Sequence, residues 1–163
     1  MADDAASAPP TAQLAAASIS SPPPSDLEPP TTRTRIRAIL DAGESLAGQR
    51  VVVGGWVKTG RQQGKGEFAF LEVNDGSCQG NLQVMVDKDV YPLAHLTHTG
   101  TSVLVEGVLQ KPPVEAKQRI ELKVKTVIEV GEVDAAAYPL PKTKITLETL
   151  RDFVHLRART NTV

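Results

Sequence analysis

Between Gln49 and about Glu132, apolar and polar residues alternate with a period of two, the pattern of strands that bury one face. In "EFAFLEVND", Leu71 and Val73 share one side, which leaves Phe68, Phe70 and Glu72 on the other. "NLQVMVD" points Leu82, Val84 and Val86 inward and Gln83 and Met85 outward. "RIELKVKTVIEV" repeats the pattern, with Ile120, Leu122 and Val124 inward and Arg119, Glu121, Lys123 and Lys125 outward. Two further β-rich runs, "RVVVGGWVKT" and "TSVLVEGVLQK", complete a set of five. They are separated by turn-forming stretches such as "GRQQGKGE", "NDGS" and "QKPPVEAKQR".

Five short strands with a "VYPLAHLTH" segment between the third and fourth predict an all-β fold. The best match is a five-stranded Greek-key barrel of the oligonucleotide-binding (OB) type, with a five-stranded SH3-like barrel as the competitor. Gly54 and Gly55 interrupt the first strand where a barrel strand bends, and Trp56 is read as core or edge packing in preference to base stacking. Upstream, "TRTRIRAILDAG" places Ile36, Ile39 and Leu40 at helical spacing before the stop signal Gly43. The expected organisation is a disordered Ala/Ser/Pro-rich leader over 1–32, a short helix and lead-in over 33–48, the barrel over 49–135 and a hinge segment over 136–163. In that hinge "YPLPK" is stiff, and Leu147, Leu150 and Val154, with Phe153 alongside, predict a short amphipathic helix.

Composition narrows the function. The chain has 163 residues and a formal net charge of -1. Four of its 19 acidic residues (Asp3, Asp4, Asp26 and Glu28) fall in the leader, which has no Lys or Arg, so the remainder carries 18 basic against 15 acidic residues. That mild positive balance permits a nucleic-acid partner without demanding one. The single Cys78 excludes an internal disulfide and reads as an inert thiol. His95, His98 and His155 are too scattered for a metal site, and no phosphate-binding loop or nucleophile elbow is present. No apolar run has the length of a membrane span, and the N-terminus lacks targeting blocks, which points to a cytoplasmic chain without a membrane partner.

The outward faces carry the candidate chemistry. Phe70 and Gln83 would lie on neighbouring strands, a ring for a base to stack on beside an amide for its edge. The competing reading is that a helix or terminal segment covers Phe68 and Phe70. In "GRQQGKGE", Arg61 and Lys65 sit in the loop between strands one and two, which reads either as a cationic loop that meets phosphates or as an ordinary solvated turn.

"GWVKTGRQQGKGEFAFLEVNDGS", "LQVMV" and the later "YPLPKTKITLETLRDFVHLRARTNTV" resemble the N-terminal anticodon-binding region of asparaginyl-tRNA synthetases, of the class II aspartyl/asparaginyl/lysyl group. The similarity runs from about residue 33 to 163, with Ala158 where the family usually has proline. It implies anticodon contacts at Arg61, Phe70 and Gln83, with Phe68 supporting and Lys111, Gln118 and Arg119 as further candidates. The implied partner is the tRNA-Asn anticodon stem-loop. No cofactor is expected in this chain: the ATP and magnesium of the full-length ligase, its homodimer interface and its catalytic residues belong to a domain beyond Val163, so the chain alone is expected to be inactive. The alternatives are a free-standing single-strand-binding OB module and a protein-interaction module.

Overall fold

The computed structural model describes residues 32–113, 118–140, 145–157 and 159–160. The leader expected over 1–32 lies, apart from Thr32, outside the described residues. The strands are β1 (Arg50–Gln63), β2 (Phe68–Asn74), β3 (Leu82–Asp87), β4 (Ser102–Gln110) and β5 (Glu121–Gly131). They close into a barrel in the order β1, β2, β3, β5, β4. All neighbours run antiparallel except β3 and β5, which are parallel. This is the predicted OB architecture.

Alternation sets the core. Ala69, Leu71 and Val73 of β2 and Leu82, Val84 and Val86 of β3 have no exposed surface. The helix α1 (Ile36–Ala42) adds Ile36 and Ile39, and a 3-10 turn at Leu93–His95 brings Leu93 and Leu96 against the same cluster. The expected segment between strands three and four is therefore this single turn. Each such aliphatic side chain contributes about 1.5–3 kcal/mol by leaving water.

β1 is the longest strand and serves both halves of the barrel. Arg50–Trp56 pair with β4, and Trp56–Gln63 pair with β2, with a register shift between Val57 and Thr59. The expected loop at 60–67 is shorter than the sequence suggests: residues 60–63 continue the strand, and the turn is Gly64–Gly66. Gly64, Lys65 and Gly66 all take positive φ, which explains glycine on both sides of the lysine. At Gly107 a Cβ would stand 2.2 Å from the Lys123 carbonyl oxygen, so only glycine lets β4 pass β5 there.

Downstream, α2 (Leu147–Asp152) and α3 (Val154–Arg157) replace the one amphipathic helix expected. Phe153 breaks it with φ -115 and ψ 54. Leu150 is buried, whereas Leu147 and Val154 are exposed, so the three do not form one covered face. Part of "YPLPK", residues 141–142, lies outside the described residues.

One carboxylate ties α1 to the barrel. Asp75, in the turn after β2, accepts the Ile36 N–H at 3.0 Å, and the Ser77 N–H and hydroxyl at 2.9 and 2.6 Å. Partial burial pushes its pKa up, but these hydrogen bonds outweigh it and hold the carboxyl below its ordinary 3.8. A folded value below the unfolded one means the contact's stability is full above about pH 4 and is lost as pH falls through the folded value. Asp75→Asn should therefore lose less stability than the parent between about pH 5 and pH 2, as measured by urea unfolding.

Candidate nucleic-acid interface

The outer faces of β1, β2, β3 and β5, with the end of β4, enclose an open groove of about 1040 Å³. Among its walls are Arg61, Phe70 and Gln83, together with Met85, Gln110 and Glu121. Register explains the meeting. Arg61 is the cross-strand partner of Phe70, Phe70 faces Met85, and Gln83 pairs with both Glu72 and Glu121. Arg61 thus stands on β1 rather than in a loop, which corrects the sequence expectation and fixes it more firmly. Its guanidinium carbon is 5.7 Å from the centre of the Phe70 ring, within cation–π range.

Phe68 packs edge-on against Phe70, with centroids 5.5 Å apart and planes at 82°. It does not wall the groove; it buttresses the ring that does. A Cβ on Gly64 would come within 2.8 Å of the Phe68 ring, so the tight glycine turn also gives Phe68 its seat. Both phenylalanines are half-buried.

Glu121 departs from expectation. Its place on the outer row of β5 predicts exposure, yet only 4% of it is exposed. The reason is a pair of amides: Gln83 donates from Nε2 to Oε2 at 3.1 Å, and Gln110 donates from Nε2 to Oε1 at 2.6 Å. The carboxylate fixes the polarity of both side chains, because either amide turned over would set its carbonyl oxygen against a negative charge. Sequence reading missed Glu121 and Gln110 as site residues. Glu121's only signal was the outward row of β5, which says nothing about which strand lies beside it, and Gln110, at the end of β4, had none.

The remaining candidates divide. Lys111 and Gln118 reach the groove wall, and Arg119 does not. Lys111 is engaged with Glu44 at 2.7 Å, a hydrogen bond that also holds the Glu44 carboxyl below its usual range. Residues 114–117 of that loop lie outside the described residues. Trp56, expected in the core or against an edge, is instead 43% exposed, because the bend of β1 turns it outward. Among the described residues no group of three or more His, Cys, Asp or Glu is arranged to hold a metal ion, and no helix is long and apolar enough to cross a membrane.

Known proteins give this surface a context. The family model of the OB-fold nucleic acid binding domain, named for the tRNA anticodon, matches residues 51–130. The chain is 65% identical over 133 residues to a cytoplasmic asparagine–tRNA ligase of Arabidopsis thaliana, covering 80% of this chain and 23% of that protein. It is 47% identical over 130 residues to the asparagine–tRNA ligase of Nostoc, covering 78% and 27%. The crystal structure of asparaginyl-tRNA synthetase from Pyrococcus horikoshii matches with a TM-score of 0.62 at 26% identity, over 78% of this chain and 30% of that one. The chain spans about a quarter of the length of the curated relatives it matches.

If Glu121 organises the groove, Glu121→Ala leaves two amides without their partner. The expected cost is about 1–3 kcal/mol in urea unfolding, with faster hydrogen exchange at the Gln83 and Gln110 side-chain amides.

Proposed function

We propose that the chain, whose residues 51–130 match the OB-fold nucleic acid binding domain named for the tRNA anticodon, binds the anticodon loop of tRNA-Asn, as the anticodon-binding part of an asparagine–tRNA ligase. The observation that carries this reading is the meeting of Arg61, Phe70 and Gln83 in one groove, with Glu121 behind them.

A base splayed from the loop stacks on Phe70, an interaction worth about 1–3 kcal/mol. Arg61, on a flexible stem over the same ring, reaches the base or its phosphate. Gln83 reads the edge. One of its N–H groups is committed to Glu121, which leaves its carbonyl oxygen and second N–H for the base. Uracil offers an N–H to that oxygen and a carbonyl to that N–H, whereas cytosine presents the two in reverse. Gln83 matches cytosine only by turning over, and the Glu121 carboxylate opposes the turn.

Asparagine–tRNA ligation by a longer protein and a cytoplasmic setting are part of this proposal, supported by the names of the Arabidopsis relatives, whereas its homodimer rests on the resemblance alone. The ATP and magnesium that the resemblance implies belong to a full-length ligase, and no step here runs through them.

The test is titration of the chain with a tRNA-Asn anticodon stem-loop, and with one whose middle uridine is cytidine, at two salt concentrations. Phe70→Ala and Gln83→Ala should each weaken uridine stem-loop binding by about 1–3 kcal/mol. Glu121→Gln, which lets Gln83 turn over, should narrow the gap between uridine and cytidine. Equal affinity of the parent and both alanine variants would sink the assignment. Indifference to the base, with affinity collapsing in salt, would mark a general single-strand-binding surface.

A further inference from the structure

A second aromatic site lies on the outer row of β1, and its interpretation rests on the RNA-binding reading above, which it extends. Trp56 is the chain's one tryptophan, and 43% of it is exposed. The guanidinium of Arg159 stands over it, 4.4 Å from the ring centroid. Beside the ring is a hollow of about 180 Å³, walled by Arg33, Gly54, Ser102, Leu104 and Glu129 among others.

A lone exposed tryptophan is ordinary. This one has company. A Cβ at Gly54 would stand 3.2 Å from the Arg33 guanidinium, so the glycine leaves room for that group against the backbone, two residues from Trp56. Neither Arg33 nor Arg159 forms an ion pair among the described residues. The site thus offers a ring that already stacks one flat cation, the Arg159 guanidinium, a second cation in Arg33, neither of the two in an ion pair among the described residues and both within reach of a phosphate, and the Ser102 hydroxyl and Glu129 carboxylate for a base edge. Glu129 repels phosphate, so the backbone would lie toward the arginines and the base edge toward Glu129.

Strand register relates this site to the groove. Trp56 faces Asn74 and Arg61 faces Phe70, with Thr59 and Glu72 paired between them. Five steps along β1 oppose four along β2 because of the bulge, so at about 3.3 Å each Trp56 stands roughly 13–17 Å from Arg61. That is too far for one base to reach both and short enough for one strand of RNA. Lys58, also without an ion pair among the described residues, lies along the way.

We propose that Trp56 is a second stacking platform, which takes a loop nucleotide outside the anticodon triplet while Arg33 and Arg159 hold its phosphate. Because Trp56 is the one tryptophan, its emission reports on the site directly. The full chain is titrated with an unlabelled anticodon stem-loop while that emission is followed, and separately with a labelled stem-loop read by anisotropy. The expected result is quenching that tracks binding, a loss of about 5- to 150-fold in affinity for Trp56→Ala, and retention of most affinity by Trp56→Phe. Stem-loop binding that is weakened by Phe70→Ala, yet leaves Trp56 emission unchanged and is indifferent to Trp56→Ala, overturns the second platform and spares the anticodon reading. Absence of any stem-loop binding overturns both.

Discussion

The barrel closes through a short seam, and the site is built on it. β3 and β5 meet in parallel over three residue pairs, Gln83 with Glu121, Val84 with Leu122, and Met85 with Lys123. Parallel pairing is slightly the weaker kind per residue, and this join brings together segments 38 residues apart, so side chains must help to hold it. Val84 and Leu122 do so on the inside. On the outside the Gln83–Glu121–Gln110 chain ties β3, β5 and β4 together. A buried carboxylate left half-satisfied is costly, which makes both amides necessary to the barrel as well as to the groove. The hydrogen bonds that close the fold are therefore the ones that orient the amide offered to a ligand.

β1 is the second constraint, because one strand of 14 residues must serve two sheet neighbours. Its glycines allow the change of partner. At Gly55 a Cβ would stand 2.7 Å from the Asn74 carbonyl oxygen, so the close approach of β1 to the end of β2 requires glycine. The bulge between Val57 and Thr59 follows. The path keeps Val57 inside while turning Trp56 and Arg61 outward on either side of the bulge. A single strand in this way carries the cation over Phe70 and the tryptophan beyond it.

What the sequence reveals depends on how local the cause is. The inward rows of β2 and β3 were legible, because alternation within a strand fixes them, and so was the shared outer face of Phe70 and Gln83. Ile36 and Ile39 were legible for the same reason at helical spacing. Arg61 was assigned to a loop because glycines on both sides of it read as a turn, whereas pairing with β2 extends the strand through it. Trp56 was assigned to packing because no local rule carries a face across a bend. Glu121 and Gln110 were invisible as a pair, since nothing near Glu121 in sequence announces that β3 and β4 will flank it. Local patterns thus specified the surface, and non-local pairing specified its chemistry.

Charge favours base readout over general affinity for phosphate. Counterion release strengthens binding in proportion to the phosphates neutralised, so a non-specific binder needs many free cations along its track. Here Lys111 is paired with Glu44, and Lys123 lies 3.4 Å from Asp87. Of the basic side chains that wall the groove, Arg61 alone has no ion pair among the described residues, and Glu72 and Glu121 stand in the same groove. Such a surface gains little from a phosphate backbone as such. What it does offer is one buttressed ring and one amide whose direction is fixed, and both act on bases. A ligand that presents a splayed base satisfies both, whereas an uninterrupted duplex satisfies neither, because its bases are already stacked and paired. On the proposed function, such a groove selects a loop before it selects a sequence.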